Sequence, residues 1–149
     1  MKSHFRVLLI AALAASVLPL LLAQGQDTKK NEYFVGKVVP IADVATKLKA
    51  KTDAAHALVA DGGKIYPLIN DAGARMFAKD KRLLNRPMRL TARLDPKSDS
   101  LQVIYVHSLK NGKLHDVYYW CDICTIKGYE NGICDCCGDP MVLKEVPLK

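Results

Sequence analysis

The chain has 149 residues, half of them hydrophobic, with 22 Lys and Arg against 15 Asp and Glu and a net charge of +7. That length holds one ordinary domain, or one small domain with an appendage, and excludes an assembly of several large cores. No internal repeat or low-complexity tract is visible, and no Ser/His/Asp set, paired-carboxylate motif or phosphate-cradling loop stands out, so the chain does not read as an enzyme.

The amino terminus, MKSHFRVLLIAALAASVLPLLLAQ, starts basic with Lys2 and Arg6, then runs almost unbroken through apolar residues 7–22. It ends in the small residue Ala23, with Leu21 at the usual −3 position. Residues 1–23 read as a secretory signal peptide, which predicts an exported protein, periplasmic or extracellular. The competing reading is an uncleaved membrane anchor, because the run is only slightly shorter than the ~20 residues that span a bilayer. No cysteine follows the run, which argues against a lipid-anchored lipoprotein. Removing residues 1–23 leaves 126 residues and lowers the net charge to +5. Residues 24–117 then carry 17 Lys and Arg against 10 Asp and Glu, whereas residues 118–149 carry 3 against 5. A basic body and an acidic tail mark two units with different roles.

Residues 24–32, QGQDTKKNE, are polar without periodicity and read as a flexible leader. EYFVGKVVPI, residues 32–41, is strand-like: Phe34, Gly36 and Val38 fall on one face, Val35, Lys37 and Val39 on the other. Pro40 closes that strand or sits at an edge. Residues 43–55 are polar, carry Lys47, Lys49 and Lys51, and form a long loop or a weak helix. HALVADGGKIYPLI, residues 56–69, has two apolar runs split by Asp61, Gly62 and Gly63, a hairpin pattern. Asn70 and Asp71 are placed to cap a short helix reaching about Phe77, with Ala72, Ala74, Met76 and Phe77 as its apolar contacts. Gly73 weakens that helix by ~1 kcal/mol relative to alanine. Two strands follow, RPMRLTARL at 86–94 and LQVIYVHSL at 101–109, separated by the turn segment DPKSDS. An Asn-Gly turn at residues 110–113 then returns the chain as a further strand over 114–120.

This order of strand, long loop, hairpin, short helix and two strands matches the OB arrangement, a five-stranded barrel with its helix between strands three and four. FVGKVV, DGGKIYPLI and RPMRLTARLDPKSDSLQVIYV resemble the small OB-fold domains of secreted bacterial proteins, over residues 33–107. A small β-sandwich or another barrel fits the same elements, and the resemblance implies no particular function.

All five cysteines lie in YYWCDICTIKGYENGICDCCGDPM, residues 118–141. Cys121 and Cys124 form one C-x-x-C, Cys134 and Cys137 a second, with nine residues between them. Two such corners can bring four thiolates to the vertices of a tetrahedron, the arrangement Zn²⁺ accepts at a closed site, one metal per chain. Gly138, after the last cysteine, suits a positive φ that turns backbone amides toward sulfur. The stretch resembles a zinc ribbon or rubredoxin-like module. It is also similar to the short heavy-metal-binding modules of bacterial copper-handling proteins, which open with an aromatic and C-x-x-H and then carry Gly-x-Cys-x-x-Cys-Gly followed by Met and Leu. In this chain Cys124 stands in place of that histidine and Met141 is displaced by two residues. Four sulfur ligands favour Zn²⁺, or iron in a rubredoxin-like site, over copper.

The expected fold class is therefore mainly β: a small OB-like five-stranded barrel with one short helix over residues 33–117, plus a C-terminal zinc-ribbon-like knuckle pair over 118–149. Two other chemistries compete for the cysteines. Structural disulfides suit an exported chain, but five cysteines leave one odd thiol and a bridge within C-x-x-C closes too small a loop to constrain much chain. A thiol–disulfide redox role is suggested by WCDIC, yet TIKGYENGI after it is turn-rich where a thioredoxin-type motif opens a helix. Thr125 and Gly138, not His, follow the two pairs, which excludes a c-type haem. Cys136 is the surplus thiol, expected to face outward as a bystander or an accessory ligand. His107 and His115, on strands leading to the site, are accessory candidates against a plain surface reading.

Binding of single-stranded nucleic acid is the rival from another functional class. Lys47, Lys49 and Lys51 fall in the loop where OB-folds often grip, and Lys79, Lys81, Arg82, Arg86, Arg89 and Arg93 form a second basic run. Only Tyr66 offers an obvious stacking ring, and a signal peptide sends the chain away from nucleic acid. The basic strip suits an anionic lipid or an anionic envelope polymer equally well.

Overall fold

The computed structural model describes residues 30–48 and 51–149. The segment read as a signal peptide, residues 1–23, residues 24–29 of the leader, and Lys49 of the basic loop lie outside the described residues. Among the described residues no helix is long and apolar enough to cross a membrane.

Strand β1, Glu32–Pro40, has the expected alternation, with Gly36 and Val38 buried and Val35 and Lys37 exposed. The described residues of the polar segment after it form two single helical turns, Ile41–Asp43 and Ala45–Lys47, and no longer helix. Strands β2, His56–Ala60, and β3, Ile65–Pro67, form the hairpin around Asp61, Gly62 and Gly63. The Ala60 carbonyl accepts from Gly63 N–H at 2.8 Å, and Ala60 N–H donates to Lys64 O at 2.9 Å.

The helix α1 starts later than the sequence suggests, spanning Arg75–Lys79. Asp71 does not cap it: its carboxylate accepts from Gly73 N–H at 3.0 Å, and its carbonyl accepts from Ala74 N–H at 3.2 Å, making a turn before the helix. Gly73 lies so close to the next layer that a Cβ there would come within 2.0 Å of the Val103 carbonyl oxygen. Its glycine is therefore a packing requirement and not a weakened helix position.

Strands β4, Pro87–Asp95, β5, Ser100–Lys110, and β6, Lys113–Cys121, follow as consecutive antiparallel hairpins. Asn111 (φ 50°) and Gly112 (φ 74°) make the left-handed turn that joins β5 to β6. Two further short strands were not legible in the sequence: β7, Ile126–Gly128, and β8, Val142–Pro147, both antiparallel to β6.

The strands form one sheet in the order β3-β2-β1-β4-β5-β6-β7, with β8 also on β6. His115 of β6 pairs with Ser108 of β5 and Pro147 of β8, and Tyr119 pairs with Gly128 of β7 and Leu143 of β8. One strand edge serves one partner at a time, so β5 and β7 share one edge of β6 and β8 takes the other. The sequence predicts a five-stranded barrel, but the sheet is open. Just after the three-residue β3, the chain meets the start of β5 at an isolated parallel bridge from Leu68 to Leu101 and a 2.9 Å hydrogen bond from Ile69 N–H to Leu101 O. The far end of the sheet runs on through β6 to the strands of the cysteine-rich tail.

The core lies under the short helix. Met76, Phe77 and Leu83 pack with Val38, Leu58, Met88, Leu90, Leu101, Val117 and Tyr119, all at most 2% exposed. One carboxylate enters this core. Asp80, between α1 and the helical turn Lys81–Leu83, accepts the Tyr119 hydroxyl at 2.8 Å and three side-chain hydrogen bonds from Arg82 at 2.7–3.0 Å. Its desolvation is thereby offset within a satisfied network.

Candidate metal centre

The inward face of β6 leads directly to the cysteines. Val117, Tyr119 and Cys121 are the buried residues of its second half, as the two-residue repeat of a strand requires. Cys121 is therefore the last inward residue of a strand that is already part of the core. The chain then turns through residues 122–125, where Thr125 takes a positive φ of 54° and its hydroxyl bonds the Cys124 carbonyl at 2.7 Å. This turn folds Cys124 back so that its N–H donates to Cys121 Sγ at 3.4 Å.

The second pair sits on a tighter corner. Cys134 N–H donates to Asp139 O and Gly138 N–H to Cys134 O, each at 2.8 Å, with Gly138 at φ +80°. That left-handed conformation disfavours any residue with a Cβ by roughly 1–2 kcal/mol. Ile133 bridges to Pro140, and Met141 N–H donates to Gly132 O at 2.9 Å, so the corner closes on itself before β8 begins.

The two corners bring Cys121, Cys124, Cys134 and Cys137 together, their four sulfur atoms all within 4.8 Å of one another. Cys121 Sγ and Cys137 Sγ, from opposite pairs, lie 3.5 Å apart. Cys121 and Cys134 are buried at 1% and 2% exposure, while Cys124 is half-buried and Cys137 exposed, so the site has a closed floor and an open rim. A zinc ion bound by four thiolates at ~2.3 Å sets its sulfur atoms ~3.8 Å apart, a spacing these side chains reach with small adjustments.

The amides poise the thiols unequally. Backbone N–H groups of Cys137 and Cys136 aim at the Cys134 sulfur and bring its pKa down to about 7. Hydrogen bonding with Cys136, and then with Cys137, pushes the Cys124 thiol up. A lowered pKa raises the thiolate fraction of Cys134 and makes it a ready first ligand for a soft or borderline cation.

Cys136 is exposed at the rim, its sulfur against Cys124 but outside the group of four. His115 is six residues before Cys121 on the same strand, a separation of ~20 Å at strand rise. Its Nδ1 lies 3.1 Å from the Lys113 carbonyl oxygen. His107, on β5, is half-buried, and burial followed by the nearby Arg89 charge pushes its pKa down. Met141 is partly buried against the core.

The basic run is largely engaged within the fold. Arg82 pairs with Asp80, Arg86 with Glu145, Arg89 stacks over the Tyr33 ring at 4.7 Å, and Arg93 donates to Asn31 at 2.9 Å. Two anchors of the cysteine-rich tail were missed by sequence reasoning. Glu145 on β8 pairs with both Arg86 and Lys110, and Lys127 on β7 lies over the rings of Tyr118 at 4.3 Å and Tyr129 at 5.3 Å. The Glu145 pairs join opposite charges far apart in sequence, which leave no local pattern, and the Lys127 contacts form only once β7 lies beside β6. No protein-family model, curated protein or solved structure matches this chain.

Proposed function

We propose that this protein is an exported metal-binding module of the cell envelope that holds one Zn²⁺ on Cys121, Cys124, Cys134 and Cys137 and has no catalytic role. The convergence of four cysteine sulfur atoms within 4.8 Å carries the reading. Four sulfur donors without histidine or carboxylate favour zinc, or iron in a rubredoxin-like site, over copper. Four protein ligands fill a tetrahedral site, the closed, structural kind. Export rests on the basic start, apolar run and Ala23 of residues 1–23.

The OB-like reading of the body is supported by the β1–β4 pairing, the short helix between β3 and β4, and the parallel bridge from Leu68 to Leu101. Residues 33–117 act as the body and residues 118–149 as the metal-binding unit. Protein purified from the periplasm is expected to contain about one zinc per chain and to lose it on Cys134→Ser. Metal-free protein with quantitative bridges within the two C-x-x-C pairs would overturn the proposal and favour a disulfide or redox role.

A further inference from the structure

A lysine-lined cleft lies far from the cysteines in sequence and chemistry. It is a cleft of about 780 Å³ where three connections meet: the segment after β1, the β2–β3 turn and the β4–β5 turn. Each connection contributes lysine: Lys47 and Lys51 from the first, Lys64 from the second, Lys97 from the third. Asp99 is the single acidic residue in the lining. Among the described residues, Lys47, Lys51 and Lys97 make no ion pair, and only Lys64 is engaged, with Asp99 at 3.2 Å. Both members of that pair are more than half exposed, so it is weak and exchangeable.

We infer that this cleft binds a compact anion bearing at least two phosphate groups on a small uncharged body. Four lysines lining one concavity raise the local concentration of anions. Lysine is a mobile point charge that accepts phosphate from many directions, whereas flat carboxylate recognition favours the arginine fork, and no arginine lines the cleft. The volume suits a single small molecule. Leu48, Ile65, Pro67 and Pro96 supply an apolar wall for its uncharged part. Single-stranded nucleic acid fits less well, because no aromatic side chain lines the cleft to stack a base. Tyr66, between the lining residues Ile65 and Pro67 in sequence, has Lys64 over its ring at 4.7 Å and the Phe34 ring at 5.2 Å.

The test is a titration of the full-length mature protein, metal site loaded, with a hexose bisphosphate at low salt, followed by amide chemical shifts. Saturable shifts centred on Lys47, Lys51, Lys64 and residues 97–100 are expected. The triple variant Lys47→Gln/Lys51→Gln/Lys97→Gln should weaken binding about tenfold, and Asp99→Asn should tighten it about threefold by releasing Lys64. Both variants keep all five cysteines, so metal content serves as the control for folding. The inference is overturned by an absence of saturable shifts, by unchanged affinity in both variants, or by an oligonucleotide that binds the cleft without competition from the bisphosphate.

Discussion

Replacing Tyr119 with phenylalanine tests whether the metal-bearing strand is held to the body by one buried carboxylate. The side chain is fully buried, and its hydroxyl donates to Asp80 Oδ2 at 2.8 Å. Phenylalanine keeps the ring and its packing, so the change removes one hydrogen bond to a charged acceptor, which contributes roughly 1.5–3 kcal/mol. Asp80 keeps its bonds from the Arg82 side chain and backbone N–H, so the loss belongs at the lower end, about 1.5 kcal/mol. The loss should also depend on pH. Arg82 beside Asp80 holds its carboxyl below the usual range; burial opposes this and the Tyr119 hydroxyl adds to it. A carboxylate with a lowered folded pKa stabilises the fold fully above its unfolded value of 3.8 and loses that contribution as pH falls through the folded value. Tyr119→Phe raises the folded value, so its deficit against wild type should be widest at neutral pH and shrink in acid. Urea unfolding of both proteins with chelator present, at pH 7 and in acid, measures this without a change in metal occupancy. A deficit below about 0.5 kcal/mol at neutral pH, or one that is the same at both, refutes the reasoning.

Cys136→Ser should keep the full complement of metal while its partner variant Cys134→Ser loses it, as read by metal analysis of the purified proteins. Gly138→Ala forces a side chain into φ +80° and should cost about 1 kcal/mol and weaken zinc retention against a competing chelator. Gly73→Ala drives a Cβ toward the Val103 carbonyl and should lower stability by about 1–3 kcal/mol in urea, with metal content unchanged. Glu145→Gln removes the shared partner of Arg86 and Lys110 and should cost about 1–2 kcal/mol by thermal unfolding; no loss would mean that β8 is held by its ladder alone.

Strands β1 to β6 were legible because each carries its own local signal. Phe34, Gly36 and Val38 alternate with outward residues, the β2–β3 turn has its glycines, and Asn111-Gly112 dictates the turn it makes. The cysteine quartet was legible for the same reason, since paired C-x-x-C spacing is local. What stayed hidden depends on distance along the chain. β7 is three residues long and exists because β6 offers an unused edge beyond Asp116, where β5 stops pairing. β8 reads in sequence as a charged tail, and it becomes a strand only with the other edge of β6 beside it. The late start of α1 goes with the turn in which Asp71 accepts from Gly73 and Ala74, beside a close approach of Gly73 to Val103, thirty residues away, that no local pattern announces.

That dependence on β6 bears on how the proposed metal would couple to the fold. The strand runs without interruption from the Asn-Gly turn to Cys121, and its inward residues change from core apolar, through the Asp80-bonded Tyr119, to sulfur. Cys134, the other buried ligand candidate, sits on a corner flanked by β7 and β8, both of which pair only with β6. Binding a cation at all four sulfurs would therefore tie β7 and β8 to the end of a strand whose other half is already anchored, stabilising the tail more than the body. Removing metal should accordingly increase amide exchange first across residues 122–147, while β1 to β5 keep their protection. Equal loss of protection in β1 to β5 would mean that the tail and the body unfold as one cooperative unit.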